Sequence, residues 1–185
     1  HTYQSQKNST NLIGATNAAY NLVNAVGNDT GDYQVIVSNR LNTARSVLTS
    51  VTVIDPSPAS YEALVVKDGP QAWWRLDESA GTTTLTDAMG RHDGVFKGSV
   101  TLAVPGVIVG STNSAATFDG SSSYAEVPFS RDLNTTNFTI ECWVKADPVI
   151  EALTPVGSFT QPPGRGYLIQ KSEDGQWYYL FGDGF

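Results

Sequence analysis

The stretch Phe138-Thr-Ile-Glu-Cys-Trp-Val-Lys145 sets a carboxylate two residues before an indole and a lysine two residues after it. In an extended strand alternate side chains share a face. Trp143 then lies with Thr139, Glu141 and Lys145, opposite Phe138, Ile140, Cys142 and Val144. A flat aromatic beside hydrogen-bonding groups suits the apolar face and hydroxyls of a sugar. The other reading is a ring covered by a loop or a neighbouring domain. The run Trp177–Phe181 poses the same question, with Trp177, Tyr179 and Phe181 on one face and Tyr178 and Leu180 on the other. One set belongs to a core and the other is free for a ligand. The sequence leaves open which face of 177–181 is core; the candidate ligand-binding residues are Glu141, Trp143, Trp177 and Tyr179. Trp73 and Trp74 are adjacent, so as strand residues they point to opposite faces; packing explains at least one of the rings.

Acids supply the second candidate chemistry. Asp77, Asp87 and Asp119, with Glu78 and Asp93 nearby, fall in or beside expected turns. Ca²⁺ takes 6–8 oxygen ligands, and loops offer both carboxylates and carbonyls. The D-x-D-x-D-G spacing of an EF-hand is absent, and turn acids also serve as caps for backbone N–H groups. His92 is the one interior histidine, which argues against a histidine-rich zinc site and against a Ser–His–Asp triad. No phosphate-cradling glycine motif occurs. Cys142 falls on the apolar side of its strand pattern, where a buried, inert thiol is expected.

The totals narrow the partners. The chain has 185 residues, 11 basic and 18 acidic, for a net charge of −7. Residues 1–54 hold three basic and two acidic residues, so +1, which leaves −8 for residues 55–185. That balance argues against nucleic acid, whose binding depends on Lys and Arg meeting phosphates. It argues equally against sulfated glycans. No apolar run approaches the ~18 residues of a membrane span. A single cysteine rules out an internal disulfide. The chain begins at His1 and its one methionine is Met89. It reads as a segment covalently continuous with a longer multidomain protein.

These residues need a scaffold, and the patterning is of strands. Pro56 and Pro58 in the joint 55–60 each remove a backbone donor, so a sheet cannot run through them. Before the joint, alternation predicts strands over 17–24, 32–38 and 44–54, with a further one around Tyr3. After it, Ser60 caps a short helix that Gly69–Pro70 ends. Strands are predicted in AWWRL, GVFKG, AATFDG and SYAEVP, over 137–146, and in a hairpin of RGYLIQK and QWYYLFG around SEDG.

Two resemblances follow from these blocks. Asp29, Gly31 and Tyr33 stand at D-x-G-x-Y spacing ahead of Val37-Ser38-Asn39. This resembles the immunoglobulin-like family, in which such a tyrosine folds back to hydrogen-bond upstream backbone. Val35 stands where an antibody-type domain has its second cysteine, so the resemblance implies an aliphatic core. Residues 1–54 cover about half of such a sandwich. The order Y-x-A-L-V-V-x-D-G-P-x-A-W-W-R-L-D-E, A-G-T-T, D-A-M-G-R-H-D-G, F-D-G-x-x-x-Y, F-T-I-E-C-W-V-K from Tyr61 to Lys145 resembles the concanavalin A-like, laminin G-like jelly roll. Members are antiparallel sandwiches of bacterial secreted and surface proteins, and they often hold Ca²⁺.

The resulting expectation is an all-β chain in three parts. Residues 1–54 are a partial immunoglobulin-like domain, 55–60 a linker, and 61–185 a truncated laminin G-like jelly roll. The implied function is a non-catalytic glycan-binding or adhesion module, extracellular or at a cell surface, with a carbohydrate or cell-surface partner and the immunoglobulin-like part as spacer. A purely structural stalk is the alternative. A jelly-roll glycoside hydrolase would need two carboxyl groups ~5–5.5 Å apart. The acid runs of the glucanases that share this fold are missing, and Glu141 is alone on its strand.

Overall fold

The computed structural model describes residues 1–57, 60–109, 111, 113–146, 152–159 and 165–183. These are mostly strands in several antiparallel sheets, with one short α-helix and two single-turn 3-10 segments. The chain divides into two compact units, residues 1–70 with 107–112, and residues 71–106 with 113–185.

The first unit is built on one five-stranded sheet. Its strands are β1 (Thr2–Lys7), β2 (Thr10–Asn11), β3 (Gly31–Ser38), β4 (Thr43–Arg45) and β5 (Thr49–Val51). Strand β3 is central: β1 pairs along one edge, and β4 and β5 share the other. The β1–β2 turn places Asn8 and Ser9 at positive φ, the geometry a two-residue hairpin requires and one asparagine tolerates.

Two sequence expectations change here. Residues 17–24 form no strand, because β1 already holds the β3 edge that they would need; Asn24, at φ 53°, also interrupts an extended run. The predicted strand 44–54 is two short strands. Between them Ser46 Oγ accepts the Val35 N–H at 3.0 Å, a side-chain bond in place of a ladder bond.

Tyr33 shows the expected fold-back. Its hydroxyl donates to the Asp29 carbonyl at 2.7 Å, and the Tyr20 ring stacks on it at 6.2 Å. Burial, and after it the Asp29 carboxylate, push the phenol's pKa up. Beside it, buried Gln6 donates to Asn11 Oδ1 at 2.7 Å and accepts from Gln34 at 2.8 Å. Side-chain amide hydrogen bonds thus link β1 to β2 and β3 at a buried position where a sandwich core would carry aliphatic side chains. Helix α1 (Tyr61–Asp68) follows, with Ser60 Oγ accepting the Ala63 N–H at 3.1 Å and Gly69 closing it at φ 63°. Such a cap contributes about 1 kcal/mol.

The second unit holds three small sheets. Strands β6 (Thr84–Leu85), β7 (Gly94–Lys97) and β10 (Tyr124–Glu126) form one in the order β10-β7-β6. Strands β8 (Thr101–Pro105) and β9 (Ser114–Thr117) form a pair. Strands β11 (Leu153–Gly157), β12 (Arg165–Lys171) and β13 (Trp177–Asp183) form the third, with β12 central. The predicted hairpin is present in register, Lys171 facing Trp177 and Tyr167 facing Phe181. Its turn is closed by Asp174 Oδ1, which accepts the Gln176 N–H at 2.9 Å.

Other expectations differ. AWWRL makes only one isolated bridge, Trp74 to Asp87. Residues 137–146 join no ladder, and Phe138, Cys142 and Val144 are exposed. Alternation gives this segment two faces but supplies no partner edge. Phe138 packs its ring against Tyr167 at 5.0 Å and Phe181 at 5.4 Å. Cys142 is therefore not the buried core residue expected, although partial desolvation raises its thiol pKa. Among the described residues the buried hydrophobic side chains are Leu85 and Leu102. Each contributes about 1.5–3 kcal/mol.

Candidate functional site

Two surfaces of the second unit bring chemistry-bearing side chains together. The first is the aromatic face of β13. Strand alternation puts Trp177, Tyr179 and Phe181 on one side, at 47%, 71% and 61% exposure. Tyr179 and Phe181 meet edge to face at 5.2 Å, and Phe138 extends the row. The predicted residues Trp177 and Tyr179 thus share a wall with Phe181, from the same predicted face, and with Phe138, which the alternation places on an apolar face. Neighbouring rings hold one another at a fixed tilt, so such a wall presents apolar area at low ordering cost. Trp143 is 68% exposed and Glu141 is exposed, both on the segment outside the ladders.

The second surface is the corner formed by residues 87–93 and 128–132. Asp87 organises it. The residue is 2% exposed, and its carboxylate accepts four backbone N–H bonds, from Trp73 at 2.8 Å, Met89 at 2.9 Å, Arg91 at 3.1 Å and His92 at 2.9 Å. Burial pushes its pKa up, but the four donors outweigh it and hold the carboxyl below its ordinary value. Asp93 Oδ1 in turn accepts the Asp87 N–H at 2.8 Å.

The adjacent tryptophans are explained at this corner. The Trp74 indole donates to the His92 carbonyl at 2.7 Å, while the Arg75 guanidinium lies over the Trp73 ring at 5.2 Å. Both rings are half-buried, each with its own partner. His92 Nε2 faces Asp132 Oδ2 at 3.1 Å, and Gln71 donates to the same oxygen at 2.8 Å. Ser130 donates to the other oxygen. The Ser130 hydroxyl leads the causes that lower the Asp132 pKa; burial opposes it, and Gln71 and then His92 add to it.

The three predicted metal ligands have other partners. Asp77 is ion-paired to Arg75 at 3.1 Å, and Asp87 is saturated by backbone. Asp119 accepts the N–H groups of Ser121, Ser122 and Ser123 at 2.8–2.9 Å and both neighbouring hydroxyls. The Ser122 hydroxyl, then those N–H groups, push its pKa far below the usual carboxylate range. No group of three or more His, Cys, Asp or Glu among the described residues could hold a metal ion. This arrangement does not fit a Ca²⁺ cage, which needs several oxygens converging on one point. No helix among the described residues is long and apolar enough to cross a membrane.

Comparison adds no relative: no family model matches the chain, and no curated protein or solved structure matches it.

Proposed function

We infer that this chain is a non-catalytic glycan-recognition module acting outside the cell, residues 61–185 a laminin G-like sandwich and residues 1–54 an immunoglobulin-like spacer. The observation that carries the reading is the exposed wall of Trp177, Tyr179 and Phe181 on β13. Folding leaves large apolar rings in water only at a cost, and contiguous exposed apolar patches mark interaction sites. Their flat faces match the C–H faces of sugar rings, and the net charge of −7 favours neutral over sulfated glycans. The Tyr33–Asp29 hydrogen bond and the F-D-G-S-S-S-Y turn closed by Asp119 support the two fold resemblances.

A glycan array probed with this chain and with Trp177→Ala tests the reading. Signal on neutral glycans that falls in the variant supports it. A blank array, or a signal that the substitution leaves intact, counts against it.

One observation favours a second reading. Tyr178 and Leu180, on the opposite face of β13, are also exposed. A sugar covers one face, whereas a protein partner covers both, so a structural role in which β13 is packed by protein is the alternative. Binding to a protein partner that both Tyr178→Ser and Tyr179→Ser abolish would favour it.

A further inference from the structure

We propose that the cleft between residues 91–93 and 128–130 is a second, single-ring subsite for a neutral sugar, with Phe129 as its platform and Arg91 and Asp93 as its hydroxyl partners. The proposal rests on the glycan-recognition reading and extends it to residues remote in sequence from β13. The cavity measures about 260 Å³ and is lined by Arg91, His92, Asp93, Pro128, Phe129 and Ser130. That lies just below the ~300–1,000 Å³ of drug-sized ligand sites and suits one ring.

The lining divides into a fixed frame and free functional groups. The frame is Asp87, which anchors the backbone of Arg91 and His92, together with Asp132, which meets the His92 imidazole. The Trp74 indole holds the His92 carbonyl from behind. A loop tied at this many points is ordered before any ligand arrives, so binding loses little to loop ordering.

The free groups carry the recognition. Among the described residues the Arg91 guanidinium makes no ion pair and no hydrogen bond. Asp93 commits Oδ1 to the Asp87 N–H, and among the described residues its other oxygen makes no hydrogen bond or ion pair. Phe129 is 80% exposed at the cleft. A donor fork and a carboxylate acceptor two residues apart can read a pair of neighbouring hydroxyls, and a phenyl face takes the C–H side of the ring. The Asp93 carboxylate in the lining opposes an anionic ligand, so the subsite is assigned to neutral sugars in preference to uronates.

The test is ligand-observed saturation-transfer NMR on the whole chain, with methyl glucoside, methyl galactoside and methyl mannoside as probes. Galacturonate is the anionic control. The Trp74 indole N–H resonance serves as a local reporter, because its acceptor belongs to this corner. Phe129→Ala and Arg91→Met alter exposed side chains and leave the Asp87 frame intact. We expect saturation of one neutral glycoside and a shift of the Trp74 indole. Affinity should fall about fivefold in Phe129→Ala, as expected from losing about 40 Å² of apolar contact.

Binding retained in both variants but lost in Trp177→Ala would overturn the subsite and leave the glycan reading standing. Preference for galacturonate would overturn the ligand class. No saturation from any neutral glycoside would overturn the subsite, and a blank glycan array beside it would remove the parent reading as well.

Discussion

Replacing Asp87 by Asn should unfold the corner that carries Arg91, His92 and both adjacent tryptophans. The substitution keeps volume and shape, so it opens no cavity. It removes the charge and turns one acceptor oxygen into an NH₂ donor. Oδ1 now serves Trp73 and Met89, and Oδ2 serves Arg91 and His92. Whichever way the amide is turned, two backbone N–H groups lose their acceptor and face a donor. Hydrogen bonds to a charged group contribute about 1.5–3 kcal/mol each. Losing two, with some return of the freed N–H groups to water, costs about 3 kcal/mol, a large share of a domain's stability of ~5–15 kcal/mol.

Urea unfolding followed by tryptophan fluorescence reads the loss, and amide exchange at residues 73, 89, 91 and 92 locates it. A variant within ~0.5 kcal/mol of the parent, the usual range of a neutral surface change, with unchanged exchange at those amides, would refute the reasoning. The same carboxylate makes stability depend on pH. Its folded pKa lies below the unfolded value of ~3.9. The stabilisation is therefore fully present above that unfolded value and is lost as pH falls through the folded one.

Further expectations concern single residues. Tyr33→Phe removes the hydroxyl bond to the Asp29 carbonyl and should destabilise the first unit by about 1 kcal/mol in urea unfolding; an unchanged midpoint would contradict the fold-back. Cys142 should react with a thiol reagent in the native protein, though more slowly than a free thiol because its pKa is raised; reaction only after denaturation would contradict the exposure. The Asp119 carboxyl, followed by NMR, should stay ionised well below the usual carboxylate range, so its hydrogen bonds to residues 121–123 hold until the pH falls through that depressed value; titration near pH ~3.9 would contradict the turn geometry. Calcium and chelator should leave the melting temperature alike, since Asp77, Asp87 and Asp119 are engaged elsewhere; a calcium-dependent rise of several degrees would contradict that assignment.

What the sequence disclosed was what local chemistry decides. Ser60 before an apolar turn and Gly69 after it mark a helix, because cap and terminus lie within a few residues of the bonds they satisfy. SEDG between two apolar runs marks the β12–β13 hairpin for the same reason. The Tyr33 fold-back spans four residues. Residues 137–146 show the opposite case, since alternation assigns faces but a strand also needs a free edge, and that edge is a property of the whole chain.

Among the site residues, Trp177 and Tyr179 were legible because β13 formed as predicted. Asp87 was read as a candidate ligand because nothing local reveals that its carboxylate reaches back 14 residues to the Trp73 N–H. The cleft lined by Arg91 and Phe129 gave no sequence signal at all, since 38 residues separate the two.

The central claim is that the β13 wall meets a glycan, and the indole N–H resonances of the four tryptophans test it most directly. During titration with a glycan selected on the array, the Trp177 resonance is predicted to shift saturably, and substituting Tyr179 should weaken that shift. A Trp177 resonance that stays fixed while the glycan binds would contradict the account.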